Sequence, residues 1–409
     1  MSFSPISEIR VGLDFTGAQI PVGRLATRDR KIYFEYNDEF LGLGLHISPF
    51  SLPLEPGLKT FEPTLFQGLP GVFNDSLPDG WGRLLIDRTI RQSGILPQQL
   101  TPLDRLAHVG HRGMGALVYE PNYRAEDVPT LVDLDLLASQ AEEVLTGEAP
   151  EVLAELLAVN GSSAGARPKA VIGVSQDHQT ICHSQTPLQD GYSHWLVKFA
   201  TSMDGIDGGV IEYVYALMAQ AAGLNMPEIH LFPAQQGPGY FAVKRFDRVS
   251  EQRLHVHSAC GLLHSDFRTP ALDYEQLLAL TEKLTRDVRE VEKMFRLAVF
   301  NVLAHNRDDH SKNFSFLMDR QGEWTLSPAY DLTFSSGPNG EQSTMVLGEG
   351  RSPTIGHLKT LGKETGIRPD YVNEVIDQVQ HALSQWEELA NQCGVLSSNI
   401  ALIGQHLQR

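Results

Sequence analysis

The apolar residues of this chain change their spacing part-way along it. Ahead of Tyr274 they fall mostly into short runs rich in β-branched and aromatic side chains, at residues 11–15, Lys31–Tyr36, 116–119, 170–174, 195–200, Ile229–Phe232 and 240–246. Runs of that length and composition predict strands. Beyond Tyr274 long apolar faces at helical spacing take over, at Val288–Leu303 and 372–393. One hairpin, 314–318 and 324–326 turned at 320–322, interrupts them. Earlier helices are expected at 81–92, behind Pro78, at 130–159, where leucines recur with acidic residues between them, and at 210–222, ended by Gly223. Pro49, Pro53, Pro56, Pro63 and Pro70 punctuate a strand-poor stretch. The 409 residues suffice for two or three domains. The expectation is an α+β chain in three parts: a small mixed β domain over 1–125, a strand-rich lobe over 126–253 and a helical lobe over 254–409. No internal repeat or low-complexity tract stands out.

Charge and cysteine usage exclude some classes of function. Lys and Arg number 33 against 50 Asp and Glu, a net charge of −17. Phosphate neutralisation needs a cationic surplus, so the chain is not expected to hold DNA by itself. A basic partner protein could supply those contacts. Cys182, Cys260 and Cys393 lie far apart and form no C-x-x-C pair, which argues against a zinc or redox motif and suits a reducing cytosol. Residues 1–10 carry no apolar signal core, and 41–50 is short and broken by Gly and His. A cytoplasmic protein is expected.

The polar segment after the helix Val288–Leu303 carries the most chemistry. His305, Asn306, Arg307, Asp308, Asp309, His310, Ser311, Lys312 and Asn313 contain R-D-x-x-x-x-N. That spacing lets one short loop place a carboxylate beside an attacking hydroxyl and an amide oxygen on a metal at the phosphates. Taken singly, it also fits a polar loop with Asp capping the next turn. Past the hairpin, Asp331 in P-A-Y-D-L stands where a second carboxylate would hold Mg2+. The small-residue run at 161–169 (G-S-S-A-G-A-R-P-K) would let backbone N–H groups approach phosphate. It lacks the Walker A pattern, and a plain linker is the alternative. Lys198 lies in an otherwise apolar strand, and burying its ammonium requires a partner. Glu212, early in the next helix, is the candidate; an edge strand with Lys198 facing solvent is the alternative. The strand end V-K-R-F-D-R at 243–248 sits where a nucleotide hinge between two lobes would lie. Together the order is that of a phosphotransferase cleft: small-residue loop, strand Lys, helix Glu, hinge, R-D-x-x-x-x-N, then Asp.

Those residues resemble the HipA family of serine/threonine kinases, the toxin partners of bacterial toxin–antitoxin pairs. The matching pieces are S-S-A-G-A-R-P-K at 162–169, V-K-R-F-D-R at 243–248, D-D-H-S-K-N-F at 308–314 and S-P-A-Y-D-L at 327–332. L-P-D at 77–79 and 113–117 are similar to the family's N-terminal domain, so the likeness runs over nearly the whole chain. The resemblance implies a two-lobed protein-kinase-like fold with the β domain docked on it, and ATP and Mg2+ as cofactors. It implies Asp308 as catalytic base and Asn313 and Asp331 as metal ligands. Lys198, supported by Glu212, would hold the α- and β-phosphates. Ala164, Gly165, Ala166, Arg167, Pro168 and Lys169 would form the phosphate loop. Lys244, Arg245 and Phe246 would line the adenine pocket, and His310, Ser311, Lys312 and Tyr330 would join the nucleotide site. Ser162 matches the serine that these kinases phosphorylate on themselves, a dianion that would repel the phosphates the loop cradles. Ser163 adds a second hydroxyl and leaves the position open. Arg167 departs from the uncharged residue often found there.

By the same likeness the substrate would be a protein Ser or Thr, with an aminoacyl-tRNA synthetase as the target and growth arrest as the result. The partner would be a small helix-turn-helix antitoxin (HipB-like) that reaches DNA on the chain's behalf. Two other functions use part of the same pattern. One is a small-molecule phosphotransferase of the aminoglycoside or choline kinase type. The other is a non-catalytic, ATP-binding co-repressor subunit. The N-terminal domain and the Ser162 loop argue against the first, and the full catalytic set against the second. The histidines of 254–268, His255, His257 and His264, are expected to be solvated or hydrogen-bonded rather than metal ligands, and Asp309 to lie off the proton path.

Overall fold

The computed structural model describes residues 3–123, 131–147, 156, 157, 165, 167–184, 188–201, 205–268 and 272–407. The first sheet runs β4-β3-β2-β1-β5, from β1 (Glu8–Asp14), β2 (Gln19–Arg28), β3 (Lys31–Tyr36), β4 (Lys59–Thr60) and β5 (Leu117–Glu120). Ile9, Val11 and Leu13 alternate inward on β1, as a half-buried strand requires. The sequence did not single out β2, and the register explains why. A bulge between Val11 and Gly12 shifts the pairing, so the buried Val22 and Leu25 of β2 stand three apart instead of two. Two helices follow, α1 (Gly80–Gln92) and α2 (Pro102–Val109). α2 was also not anticipated, although T-P-L-D announces it. Thr101 accepts from the Asp104 N–H, the Asp104 carboxylate accepts from the Thr101 N–H at 2.7 Å, and Pro102 takes the first helical position.

The second sheet runs β7-β6-β8-β10-β9 and is antiparallel throughout: β6 (Lys169–Ser175), β7 (Ile181–His183), β8 (Tyr192–Lys198), β9 (Ile229–Phe232) and β10 (Tyr240–Lys244). One face is covered by α3 (Leu134–Thr146), whose Leu134, Leu137, Ala141 and Val144 join Ala170, Trp195 and Val197 in one core. Trp81 and Leu85 of α1 enter the same core, so the first domain reaches into the second lobe through a helix. Within the helix expected at 130–159, α3 accounts for 134–146, and much of the remainder lies outside the described residues. α4 (Gly208–Ala221) packs against β9 and β10.

The third part pairs β11 (His255–Ser258) with the expected hairpin, β12 (Ser315–Met318) and β13 (Trp324–Leu326). Around it lie α5 (Tyr274–Thr285), α6 (Val288–Leu303), α7 (Ile355–Glu364), α8 (Pro369–Leu383), α9 (Trp386–Cys393) and α10 (Ser397–Gly404). α6 is buried along most of its length, including Met294, Phe295, Val299, Phe300 and Leu303. Each such side chain contributes about 1.5–3 kcal/mol of transfer free energy. The single helix expected over 372–393 is two. Ser384 Oγ donates back to the His381 carbonyl at 2.7 Å, and the chain turns so that the fully buried Trp386 donates from Nε1 to the Ile400 carbonyl at 3.0 Å.

The histidines of β11 seal the seam to the first domain. His257 Nδ1 meets Asp75 at 2.7 Å and Nε2 meets Ser48 Oγ at 2.8 Å; His255 Nε2 meets the Ile47 carbonyl at 2.8 Å. Burial, with His257 adjacent, pulls His255 down to about 3, so it stays neutral. These two are hydrogen-bonded, whereas His264, the third histidine of the segment, packs against the rings of Phe61 and Phe66. Beside them Gly71 and Gly261 meet backbone to backbone: a Cβ on Gly71 would lie 2.2 Å from the Gly261 carbonyl oxygen. Gly71→Ala is therefore expected to cost about 1–3 kcal/mol by overpacking. Chemical denaturation checks this; an unchanged midpoint would mean the seam can open without cost. No helix among the described residues is long and apolar enough to cross a membrane.

Candidate active site

β8 ends in the cleft with Lys198. Its ammonium is bound by Glu212 of α4 and lies 2.5 Å from Asp331 Oδ1. Lys198 is 9% exposed and Glu212 is 2% exposed, so the pair is not a solvated edge contact. Burial works against the Lys198 ammonium, but Asp331 and Glu212 outweigh it and hold its pKa above the ordinary value. Lys198 in turn keeps the Asp331 carboxyl well below the usual carboxylate range, against the effect of burial. Burial pushes Glu212 upward. Lys169, opposite Lys198 in the sheet register, is also buried; burial and then Lys198 pull it down to about 8. Two lysines side by side, one with a weakened hold on its proton, form a site that an anion would relieve.

The loop after α6 supplies the other wall. His305 opens it at φ 55° and Asp331 answers across the cleft at φ 57°, left-handed conformations rare outside glycine. Asp308 is solvent-exposed at the mouth. The protein still crowds one side of it, and that burial raises its pKa, with His310 opposing and Asp331 adding. The Asn313 side chain donates from Nδ2 to the Asp308 carbonyl at 2.8 Å, which fixes the loop and leaves the amide oxygen directed elsewhere. Asp309 faces inward. It accepts from Tyr274 Oη at 2.6 Å, from Gln342 at 3.1 Å and from the N–H groups of Ser343 at 2.9 Å and Thr344 at 3.1 Å. Burial pushes it up to about 7 against those four donors. It is the loop's anchor and is turned away from the cleft.

Ser311, buried, and Lys312 occupy the single turn Ser311–Asn313. Tyr330 Oη donates to the Lys312 carbonyl at 2.6 Å, and its ring lies 5.6 Å from Phe246. Of the three residues expected at an adenine pocket, Phe246 packs against Tyr330, whereas the side chains of the two cations are engaged elsewhere. Lys244 reaches Glu228 at 2.9 Å on the outside of the sheet. Arg245 is buried on Asp247, Nε to Oδ1 at 2.9 Å and Nη2 to Oδ2 at 2.7 Å, and its Nη2 also donates to the Gly113 carbonyl. V-K-R-F-D-R is thus largely a domain clamp. Asp247 also accepts from Arg248 at 2.5 Å and from the Gly115 N–H at 2.7 Å.

Of the phosphate-loop residues, Gly165, Arg167, Pro168 and Lys169 are described; Ala164 and Ala166, with Ser162 and Ser163, lie outside the described residues. Gly165, at φ 109°, is held by the first domain: its N–H is bonded to Asp79, and its carbonyl accepts from the Trp81 N–H at 3.1 Å. The Pro168 carbonyl accepts from the Phe199 N–H at 2.9 Å. Arg167 lies 4.0 Å from Glu212 and its charge is felt at Asp308, so the departure at this position puts a cation over the cleft.

A hard cation fits this donor set. Asp331 offers a carboxylate, 37% exposed, and Asn313 an amide oxygen. Two oxygen ligands completed by phosphate and water suit Mg2+, which seldom takes an all-protein cage.

Comparison with known proteins agrees with the motifs. Residues 161–386 match the HipA-like C-terminal domain, and 13–120 match the HipA N-terminal domain. The chain is 28% identical over 161 residues to the putative kinase Y4dM of Sinorhizobium fredii, covering 36% of this chain and 38% of that protein. It is 27% identical over 143 residues to the serine/threonine-protein kinase toxin HipA of Shewanella oneidensis, covering 30% of this chain and 33% of that one. These matches span under two-fifths of the length of the curated relatives. In fold, the chain is similar to the solved HipA of Shewanella oneidensis MR-1, described with HipB and operator DNA. The TM-score is 0.69 at 16% identity, over 97% of this chain and 94% of that one.

Proposed function

The chain belongs to the HipA family, its signature spanning 161–386 and 13–120, and from that membership we propose that it is an ATP- and Mg2+-dependent serine/threonine kinase. The observation that carries the reading is the buried Lys198 ammonium shared between Glu212 and Asp331, with Asp308, on the loop after α6, close enough to feel its charge. Bound Mg2+ would offset the charge of the transferring phosphoryl group. The chain's own residues do the rest. Lys198 and Lys169 attract the phosphates, and Glu212 keeps Lys198 aimed. Asp308 accepts the proton of the attacking hydroxyl. Asn313 and Asp331 supply the oxygens for the cation, and Phe246 and Tyr330 offer an apolar wall for a base.

The family likeness supports a narrower reading. Ser162 or Ser163 is the autophosphorylated position, and the external substrate is a protein, with an aminoacyl-tRNA synthetase as the target. The partner is a small helix-turn-helix antitoxin; the solved Shewanella oneidensis structure, a toxin–antitoxin system of HipA with HipB and operator DNA, supports a HipB-like partner. The chain's net charge of −17 fits DNA contact through such a partner rather than directly.

Incubation with γ-labelled ATP tests the activity. Label is expected on protein, none on an aminoglycoside, and chelation with EDTA should abolish transfer until Mg2+ is restored. Rapid labelling of the aminoglycoside alone would make the chain a small-molecule phosphotransferase. In a bacterial host, expression is expected to arrest growth and Asp308→Asn to relieve it; equal growth at matched protein levels would remove the toxin role.

A further inference from the structure

Asp79 occupies the N-cap position of α1 but does not cap it: its side chain makes no hydrogen bond to its own helix. An Asp at that position ordinarily accepts from the first free N–H groups. Here the carboxylate is turned outward to two groups of the cleft. One oxygen accepts from the Gly165 N–H, and the other lies 2.7 Å from Lys312 Nζ, in the catalytic loop between Asp308 and Asn313. The helix is compensated from across the interface, because the Gly165 carbonyl accepts from the Trp81 N–H at 3.1 Å. Gly165 and the helix start thus satisfy each other reciprocally, as a capping box does within one chain segment. Lys312 is 9% exposed, packs 4.6 Å over the Phe267 ring and has Asp79 as its charge partner. Gly165 is crowded on its other side, since a Cβ would fall 2.4 Å from Lys169 Nζ.

We propose that Asp79, in the N-terminal domain, is a positioning residue of the phosphoryl-transfer site, holding the Gly165 backbone and the Lys312 ammonium in register from opposite sides of the cleft. The first domain is then a working part of the nucleotide site as well as a docked neighbour. This rests on the kinase reading above.

The test uses the full chain and titration with the non-hydrolysable analogue AMP-PNP and Mg2+, together with kcat and KM for autophosphorylation. Asp79→Ala is expected to weaken analogue binding and raise the KM for ATP by about tenfold or more, the effect of losing hydrogen bonds to a charged group. Asp79→Asn, whose amide oxygen still accepts from Gly165, should fall between wild type and Asp79→Ala. The double variant Asp79→Ala/Lys312→Met should be no worse than its poorer single, because both remove one coupled contact. Wild-type affinity in Asp79→Ala, or single effects that multiply in the double variant, would overturn the proposal. If Asp79→Ala does not fold, Asp79→Asn closes the same cycle. A wild-type chain that does not bind the analogue at all would instead bring down the kinase reading, and this one with it.

Discussion

Asp308→Asn is expected to slow phosphoryl transfer from ATP by about 10²–10⁴-fold, the usual worth of a positioned base, and to leave Mg2+·ATP binding near wild type. Asp308 stands at the cleft mouth and holds neither Lys198 nor Glu212, so the phosphate-facing cluster does not depend on its charge. The Asn313 contact that shapes the loop goes to its backbone carbonyl, which the substitution keeps. What is lost is the ability to accept a proton. The pH profile gives a second reading. Burial raises the Asp308 pKa, with His310 opposing and Asp331 adding. A base works only when ionised, so the wild-type rate should fall as pH drops through that raised value, and this acid limb should be missing from the residual activity of Asp308→Asn. Equal rates in the two proteins would remove Asp308 from the proton path.

Asp247→Ala is expected to destabilise the chain by about 3–5 kcal/mol, because it leaves buried guanidinium groups without their counter-charge. Asp247 is fully buried, and the side chains of Arg245 and Arg248 are only 7% and 6% exposed. The arginines then cross to the first domain, Arg245 to the Gly113 carbonyl and Arg248 to the carbonyls of Gly113 and Gly115, at 3.0–3.2 Å. Burial opposes ionisation of Asp247, but Arg245 and Arg248 overcome it and hold its carboxyl well below the usual range. A depressed folded pKa contributes stability in full above the unfolded value of about 3.9 and loses it as pH falls toward the folded value. Wild type should therefore weaken below about pH 4. Asp247→Asn should start lower and lose less over the same interval. Denaturant titration at several pH values measures both; a midpoint unchanged in Asp247→Ala would show that the clamp carries no net stability.

The loop after α6 that carries the candidate base was legible in the sequence because its groups lie within one short segment. R-D-x-x-x-x-N puts Asp308 and Asn313 five residues apart, joined by the 2.8 Å contact that shapes the loop. Lys198 and Glu212, and the strand-then-helix order, were legible for the same reason: charged groups in apolar segments need partners, and these two are 14 residues apart. Long-range pairings were not legible. Asp79 meets partners 86 and 233 residues further on, and Asp247 meets Gly115 from 132 residues away. Nothing in the sequence around those residues distinguishes a domain clamp from a hinge, so Arg245 was expected in the adenine pocket. The bulged strand β2 and the split between α8 and α9 escaped because each breaks its own period at one point, Val22, which the register with β1 skips, and Ser384. By contrast, α2 is signalled within four consecutive residues, T-P-L-D, whose Thr101 and Asp104 cap it reciprocally.

The most direct test is intact-mass analysis of phosphatase-treated protein after incubation with ATP and Mg2+, wild type beside Asp308→Asn. The account predicts one phosphate on the wild type alone, mapping to Ser162 or Ser163. A wild-type chain that binds Mg2+·ATP yet gains no phosphate, and labels no protein in a cell extract, would contradict it and leave a nucleotide-binding subunit.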